Sequence, residues 1–321
     1  RQCRYALVPS GGRGGSATLS SLRMDTAPLP SVAVVIPTYN RSRLVERTLR
    51  ALGDVDYPSF EAVVVDDGSE PEHLAATEQT ARVAGVTLLR QANAGPAAAR
   101  NRGIDATRSE LVVFLDDDCA PAIDWLRRLV SAFSEPDSVD LAAVGGAVRS
   151  EAPYTWIGRY CVAARYGTGV PEEITNAATA NACYRRSVLE EVGGFDESFR
   201  RPGGDDPDLA RRVLARGYRI TRAPDAVVFH AEIATVSEFL KHMYWRGSGE
   251  AMGKRKEGRA WRVLLRAGLT PLFLGRRAAQ TWRFSAGHGT VVNRLAFAIF
   301  EIVASSVFVG ASVFALVRRS S

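Results

Sequence analysis

The chain has 321 residues, of which 46% are hydrophobic and 24% charged, so it can bury a large core; this excludes an intrinsically disordered chain and a small disulfide scaffold. Its four cysteines are scattered without a C-x-x-C pair, which excludes a zinc ribbon and a redox motif and predicts reduced thiols in a cytoplasmic protein. The net charge of +6 is local, because residues 241–294 hold 12 basic and two acidic residues while the remainder holds 29 basic and 33 acidic.

The basic stretch lacks interleaved aromatic residues, so we expect no nucleic-acid partner. It lies beside an apolar segment and suits the anionic cytoplasmic surface of a membrane, where each nearby Lys or Arg contributes about 1 kcal/mol.

Residues 1–30 are rich in Gly, Ser and Arg and contain no apolar core of a signal peptide, so we predict a disordered leader. Met24 lies shortly before the first predicted strand, and we hypothesise that it is the native start. N-terminal sequencing of native protein that begins upstream of Met24 would contradict this hypothesis.

A continuous apolar run at Val32–Ile36, ended by Pro37, predicts a buried parallel strand. Similar runs follow at Ala62–Val65 and Leu111–Leu115, with a weaker one at Val86–Leu89. Helical patterns separate these runs, at Arg43–Leu52, Glu72–Ala84 and Pro96–Ala106. Alternating strands and helices predict an α/β fold with a doubly wound sheet, within one domain at residues 31–235.

The second half of this domain has a less regular pattern. A helix is predicted at Trp125–Phe133, and Gly193-Gly194 marks the end of another. Asp205–Arg216 predicts a helix, and Ala226–Phe229 a closing strand that ends at His230.

Residues 236–294 are predicted to form a basic helical region, followed by an apolar run at Leu295–Val317 and a tail at 318–321. The run contains one charge, Glu301, and is long enough to cross about 30 Å of hydrocarbon. Flanking arginines place the main domain at the cytoplasmic face if the run spans, alone or in a hairpin with Leu264–Leu274. A buried amphipathic or dimer helix is the alternative.

Three predicted strands end in polar residues, at 37–41, 66–69 and 116–118. Ligands of such sheets bind outside the carboxyl ends of the strands, so these residues should share one edge. Three consecutive aspartates raise each other's pKa unless a cation lies among them, and their oxygen ligands suit Mg²⁺ or Mn²⁺. A solvated acidic turn that caps the following helix is the alternative.

Six ordered motifs between about residues 31 and 231 resemble family 2 glycosyltransferases of the GT-A fold. They read Val-Val-Ile-Pro-Thr-Tyr-Asn-Arg at 34–41, Val-Val-Asp-Asp-Gly-Ser at 64–69, Gly-Pro-Ala-Ala-Ala-Arg-Asn-Arg-Gly at 95–103, Phe-Leu-Asp-Asp-Asp at 114–118, Gly-Gly-Phe-Asp at 193–196 and Gly-Asp-Asp-Pro-Asp-Leu at 204–209. The resemblance implies an inverting enzyme with a Rossmann-like mixed sheet and a membrane-associated C-terminal helical segment.

The resemblance also implies which residues bind the donor. The nucleotide and sugar would contact Thr38, Tyr39, Asp67, Arg100, Asp116 and Asp117. The metal would bind Asp116, Asp118 and His230. An Asx turn at Asp67, an exposed helical Arg100 and a structural His230 are the alternatives.

On the acceptor side the resemblance makes Asp206 the catalytic base. Asp205 stands where the family has glutamate, which leaves its role open. Acceptor contacts are expected from Asn181, Asp205, Trp245 and Arg246, while helix charge compensation is the alternative for the acidic residues. The Gln-x-x-Arg-Trp sequence of processive synthases does not occur after Asp206, which favours transfer of a single sugar.

We therefore expect a metal-dependent transferase that moves one sugar from a nucleotide-diphosphate sugar to a lipid-linked or cell-envelope glycan acceptor. Asp67 could accept the imide N–H of uracil, which favours a pyrimidine or guanine nucleotide, and of these we expect UDP. A nucleotidyltransferase lacks support because no glycine-rich, lysine-bearing loop follows the first strand, and no G-x-G-x-x-G indicates a dinucleotide oxidoreductase. The alternative from another class is a catalytically degenerate nucleotide-sugar-binding or scaffolding subunit at a membrane.

Overall fold

The structure is a computed structural model that describes residues 29–135, 137–150, 155–163, 176–231, 233–287 and 290–317. The predicted leader, apart from Leu29 and Pro30, lies outside these residues, as do Met24 and the predicted tail. The strands are β1 (Val32–Thr38), β2 (Glu61–Asp66), β3 (Thr87–Arg90), β4 (Leu111–Leu115), β5 (Cys119–Pro121), β6 (Leu141–Ser150), β7 (Asn181–Arg185) and β8 (Arg219–His230).

The helices of the sheet domain are α1 (Ser42–Gly53), α2 (Pro71–Ala84), α3 (Pro96–Ala106), α4 (Trp125–Ser131), α5 (Trp156–Ala163), α6 (Arg186–Val192) and α7 (Asp205–Ala215). Four more follow: α8 (Val236–Lys256), α9 (Trp261–Gly268), α10 (Thr270–Phe284) and α11 (Val291–Val317).

The eight strands form one mixed sheet in the order β3-β2-β1-β4-β7-β6-β8-β5. β1 pairs in parallel with both β2 and β4, and its register places Thr38 beside Asp66. β1 continues through Pro37 to Thr38, one residue beyond the predicted stop. The carboxyl ends of these parallel strands therefore meet at one edge of the sheet, as the sequence predicts.

β7 runs antiparallel between β4 and β6, while β8 runs parallel to β6 and antiparallel to β5. Close contacts explain Gly146 within β6: a Cβ at this position would lie 2.2 Å from the side-chain amide nitrogen of Asn181 and 2.5 Å from the Ala226 carbonyl oxygen. This half of the sheet brings His230 next to Cys119, which directly follows Asp118.

Buried apolar residues fill two layers, one on each face of the sheet. One layer centres on Trp125 and residues of β1 and β4 that include Val34 and Val113. The other packs Phe114 and Tyr184 against α3, α6 and α7. Alternate residues of β4 thus enter opposite layers, which holds the strand and the aspartates after it in place.

The helices after the sheet domain share a third apolar cluster with α5. It contains Tyr160 of α5, Phe239 of α8 and Phe297 of α11. Inside it, the Glu301 carboxylate accepts hydrogen bonds from side chains of α5, α10 and α11, at 2.6–3.1 Å: Tyr160, Arg277, Thr281 and Ser305. The single charge of the apolar run is therefore satisfied within the protein.

Among the described residues, one helix is long and apolar enough to cross a membrane: Val291–Val317, with a mean hydropathy of 2.1. It begins four residues before the predicted run. The segment Leu264–Leu274 is not a continuous second span, because α9 ends at Gly268 and Pro271 lies in the first turn of α10.

Candidate active site

The turn after β1 is tied to the turn after β2. Asn40 adopts a positive φ of 55°, a conformation that Asn tolerates better than most residues. Its backbone N–H donates to the Ser69 hydroxyl, and its side-chain oxygen accepts from the N–H of Glu70, both at 2.8 Å. These bonds leave the Tyr39 ring 45% exposed, available to cover a ligand, and they direct Arg41 toward the aspartates of β4.

Arg41 binds two of the three aspartates at the end of β4. Its guanidinium donates to Asp117 at 2.7 Å and lies 2.9 Å from Asp118. The Thr38 hydroxyl also donates to Asp117, at 2.7 Å. Asp117, predicted to lie near the donor sugar, is therefore turned toward β1 and is 4% exposed. Burial raises its pKa, which Arg41 opposes.

Asp118 and His230 form the most convincing cation site. The His230 Nδ1 lies 2.6 Å from the Ala231 carbonyl, which can only accept, so Nδ1 carries the proton. Nε2 faces an Asp118 oxygen at 3.3 Å. In place of the proton on Nε2, a divalent cation could be bound by these two atoms, and the backbone contact orients the imidazole as in many metal sites.

The Cys119 thiol lies within the same group and is directed at Asp118, at 3.7 Å. Burial favours a higher pKa for Asp118, but His230 and Arg41 outweigh it and hold the pKa below its usual range. Asp118 is therefore ionised in the folded protein. Cys119, Cys161 and Cys183 are free thiols, as predicted.

Asp116 and Asp205 are linked through one buried arginine. Arg100 of α3 donates to each carboxylate at 2.8 Å and is 6% exposed. Its Nε finds no hydrogen-bond partner among the described residues. Arg100 is thus not an exposed helical arginine, and it connects the donor edge of the sheet to the start of α7.

Asp206 follows Asp205 in the first turn of α7 and is half-buried. Its carboxylate accepts hydrogen bonds from the Thr179 hydroxyl at 2.8 Å and from the Thr179 N–H at 3.2 Å. Burial, with the adjacent charge of Asp205, raises the pKa of Asp206 to about 7. A carboxylate with such a pKa is suited to accept a proton near neutral pH.

Asp67 is held by the loop before α3. Its carboxylate accepts from the Gln91 amide and from the N–H groups of Ala94 and Gly95, at 2.8–2.9 Å. The Asx turn that the sequence allowed at Asp67 is formed by Asp66, which accepts from the N–H groups of Gly68 and Ser69. One acceptor position remains on Asp67 Oδ2, because each carboxylate oxygen can accept two hydrogen bonds.

The predicted acceptor contact of Asn181 requires a correction. Its side chain is 1% exposed, and its amide donates to the carbonyls of Ala147 and Ala226 at 2.8–2.9 Å. Its oxygen accepts from the Trp125 indole at 2.8 Å. Asn181 is therefore a structural residue that joins β6, β8 and α4, and it does not reach an acceptor sugar.

Trp245 and Arg246 lie on α8, next to the loop that precedes α7. Lys241 lies over the Trp245 ring, 4.8 Å from its centroid. A Cβ on Gly203 would lie 3.1 Å from the Arg246 Cα, so the backbones of this loop and of α8 are in contact. The two predicted acceptor residues are thus near the start of α7.

Two site residues were not predicted from the sequence, Arg41 and Thr179. Arg41 is visible in the Asn-Arg pair after β1, since an arginine beside a strand end that faces three aspartates is a candidate counterion. Thr179 carries no such signal, because it depends on β7 lying antiparallel beside β4.

These residues define a class of α/β protein in which aspartates and arginines are gathered at the carboxyl ends of the strands. The family model described as "Glycosyl transferase family 2" matches residues 33–193, half of the chain. A second model, "N-terminal domain of galactosyltransferase", matches residues 161–236. The chain belongs to glycosyltransferase family 2, as its motifs predict.

Curated relatives agree with this assignment. "Glycosyltransferase AglE" of Haloferax volcanii is 33% identical over 236 residues, 70% of this chain and 74% of that protein. "Pre-mycofactocin glycosyltransferase" of Mycobacterium tuberculosis is 27% identical over 303 residues, 89% of this chain and 59% of that protein. "Glucosyl-dolichyl phosphate glucuronosyltransferase" of Haloferax volcanii is 27% identical over 67% of this chain and 75% of that protein.

Solved structures share the fold. The mannosyltransferase PcManGT of Pyrobaculum calidifontis, in complex with GDP-Man and Mn²⁺, superposes with a TM-score of 0.64 at 22% identity, over 90% of this chain and 88% of that one. GalNAc-T7 with UDP, GalNAc and Mn²⁺ gives 0.54 at 16% identity, over 73% and 52% of the two chains. The mixed sheet is the GT-A fold that the resemblance implies.

Proposed function

We propose that this protein is an inverting, metal-dependent hexosyltransferase that moves a single sugar from UDP to a lipid-linked or cell-envelope glycan at the cytoplasmic face of a membrane. One observation carries the proposal: Arg100 connects the donor-side Asp116 to Asp205, directly beside Asp206, whose pKa is about 7. A phosphate-facing cation and a neutral-range base thereby belong to one site.

The donor would bind at the carboxyl ends of β1, β2 and β4. Tyr39 would cover the base, while Thr38 and Asp117 would line the space beside it. The position that remains on Asp67 Oδ2 could accept an imide N–H, which supports a uracil nucleotide. The unpaired Nε of Arg100 is a donor for a diphosphate oxygen.

A Mg²⁺ or Mn²⁺ ion would be held by Asp118 and His230, with Asp116 nearby, and when bound it neutralises charge on the diphosphate leaving group. The separation of 3.3 Å between Asp118 Oδ1 and His230 Nε2 supports this ligand set. Arg41 holds the opposite oxygen of Asp118 and would yield part of that contact to the cation.

Asp206 would accept the proton of the acceptor hydroxyl. The hydroxyl oxygen then bonds to the anomeric carbon on the face opposite the diphosphate, whose bond to that carbon breaks, so the configuration inverts. The hydrogen bonds from Thr179 orient the Asp206 carboxylate. Trp245 and Arg246 would contact the acceptor.

Membrane binding is proposed for α9 to α11. Large apolar side chains are exposed along these helices, among them Trp261, Leu264, Leu269, Leu272, Leu295 and Ile299. Basic residues flank them, including Arg262 and Arg276, which suits an anionic lipid surface. The relative named "Glucosyl-dolichyl phosphate glucuronosyltransferase" supports a lipid-linked acceptor.

The test is calorimetric binding of UDP, GDP and TDP to detergent-solubilised protein, each with and without Mn²⁺, followed by transfer from sugars on the nucleotide that binds. We expect UDP to bind tightly with metal and weakly without it. Tight binding of another nucleotide alone would contradict the UDP donor. Binding without any transfer or donor hydrolysis would favour the degenerate scaffolding subunit.

A further inference from the structure

The loop that leads into α7 is in direct backbone contact with α8. A Cβ on Gly249 of α8 would lie 1.3 Å from the Gly203 carbonyl oxygen and 3.0 Å from the Gly204 nitrogen. Gly203 and Gly204 have φ values of 99° and 119°, which other residues rarely adopt. Gly204 is the N-cap of α7. The residues directly before Asp205 and Asp206 thus rest on the α8 backbone without any side chain between them.

The neighbouring glycine of α8 makes an equally close contact with α11. A Cβ on Gly247 would lie 2.2 Å from the carbonyl oxygen of Phe308. The Ser312 hydroxyl, which is buried, lies 3.0 Å from the Gly247 carbonyl oxygen. Residues i and i+2 of an α-helix are about 200° apart around its axis, so Gly247 and Gly249 lie on nearly opposite sides of α8.

We propose that α8 is a positioning element that transmits the placement of the apolar helix α11 to the base Asp206, with Gly247 and Gly249 as its positioning residues. The inference rests on the proposed role of Asp206. It adds that turnover depends on α11 being seated against α8, so the C-terminal helices contribute to catalysis as well as to membrane binding.

The geometry makes this transmission direct. Packed protein interiors are incompressible, and these contacts join backbone to backbone, with no flexible side chain to absorb a shift. Ordinary contact of a Cβ begins at 3.4 Å, so an added methyl group at Gly249 must displace the loop or α8 by about 2 Å. A misplacement of about 1 Å can lower a rate by as much as 100-fold.

Gly249→Ala tests the proposal, and Gly253→Ala is its matched control. Both glycines lie in α8, but a Cβ on Gly253 meets nothing within 4 Å. The control should keep its turnover, because the added methyl group displaces no atom. Gly249→Ala should lower kcat between about 10- and 100-fold while its affinity for UDP with Mn²⁺ stays within about twofold of the wild type.

The pH dependence of kcat separates misplacement of Asp206 from a simple loss of folded protein. A smaller active fraction lowers kcat at every pH but leaves its midpoint near 7, whereas a moved carboxyl shifts the midpoint. We expect a shift in Gly249→Ala and none in Gly253→Ala. Wild-type kcat and midpoint in Gly249→Ala would overturn the proposal, as would equal losses of kcat and UDP affinity.

Ser312→Ala carries the test if Gly249→Ala does not fold, because it removes one hydroxyl at the contact of α11 with α8. Hydrogen exchange should then quicken in residues 203–208, and unchanged exchange there would overturn the proposal. Asp206→Asn distinguishes a failure of the base assignment from a failure of the role of α8. If it stays active, the base assignment fails; if it is inactive while Gly249→Ala behaves as wild type, only the role of α8 fails.

Discussion

Asp118 lies at the end of β4 and Asp206 at the start of α7. Burial raises the pKa of both carboxyl groups, but the charged neighbours of Asp118 lower its pKa, whereas the adjacent charge at Asp206 raises it further. At Asp118, His230 and Arg41 more than offset burial and keep the pKa low. At Asp206, the charge of Asp205 adds to burial, and the pKa rises to about 7. Asp118 is thus a permanent anion on the donor side, whereas Asp206 on the acceptor side titrates near neutrality.

The allocation of arginines explains this difference. Arg41 lies within 3 Å of Asp118, and Arg100 pairs with Asp116 and Asp205. Among the described residues, no ion pair reaches Asp206, whose hydrogen bonds come from the neutral Thr179. A permanent anion binds a cation, whereas an acceptor of protons needs a pKa near the working pH.

The largest effect is expected from Asp206→Asn, which keeps the shape of the side chain but removes its basicity. We expect kcat to fall by about 10²- to 10⁴-fold, the usual contribution of a general base. Affinity for UDP with Mn²⁺, measured by calorimetry, should stay unchanged. A variant with wild-type kcat would show that Asp206 is not the base that accepts the proton.

Asp118→Asn tests the other side of the comparison. Removal of the anionic ligand should weaken Mn²⁺ binding by at least about tenfold, as loss of even an outer-shell metal partner typically costs 10–100-fold. Titration of the Mn²⁺ electron paramagnetic resonance signal measures the free ion directly. Asp54→Asn, at an exposed carboxyl after α1, is the control, and equal Mn²⁺ affinity in both variants would contradict the site.

Arg41→Gln sharpens the comparison by removing a cation from the donor side. Since Arg41 competes with a metal ion for Asp118, Mn²⁺ should bind the variant about tenfold more tightly in the absence of nucleotide. Calorimetry with Mn²⁺ alone measures this. Arg50→Gln, which removes a surface partner of Glu46 on the same helix, should leave the affinity as it was. Weaker binding in Arg41→Gln would mean that Arg41 organises the aspartates instead of competing for them.

The smallest effect is expected in the unaltered protein, as a change of kcat with pH. Asp206 must be deprotonated to accept a proton, so kcat should fall about tenfold per unit as the pH drops below about 7. Burial also raises the pKa of Asp117 on the donor side to about 7, so the midpoint belongs to Asp206 only if Asp206→Asn loses it. A flat kcat between pH 6 and about 8 would contradict the raised pKa of Asp206.

The first half of the fold could be predicted because its strands are uninterrupted apolar runs. β6 was missed, since Gly145 and Gly146 interrupt its pattern, and the close approach of Asn181 that requires a glycine is a tertiary contact. β8 begins seven residues before the predicted Ala226. Arg222 and Pro224 interrupt the apolar pattern there, and pairing with β6 holds this segment in the sheet.

At the site, Asp116, Asp117 and Asp118 could be predicted because they directly follow a recognisable strand. The partners of Asp205 and Asp206 could not, since Arg100 is 105 residues from Asp205 and Thr179 is 27 residues from Asp206. Asn181 shows the limit of resemblance. The resemblance predicts an acceptor contact for this residue, but its side-chain amide donates to backbone carbonyls of the sheet.

The buried Glu301 bears on how this enzyme can be engineered. Its carboxylate binds Tyr160, 141 residues earlier in the sheet domain, and Arg277 of α10. Replacing α11 with a generic hydrophobic anchor, or deleting it to obtain a water-soluble version, would leave Tyr160 and Arg277 without this hydrogen-bond acceptor. The C-terminal helix is therefore not an interchangeable module, and a chimeric enzyme should keep Glu301 together with its partners.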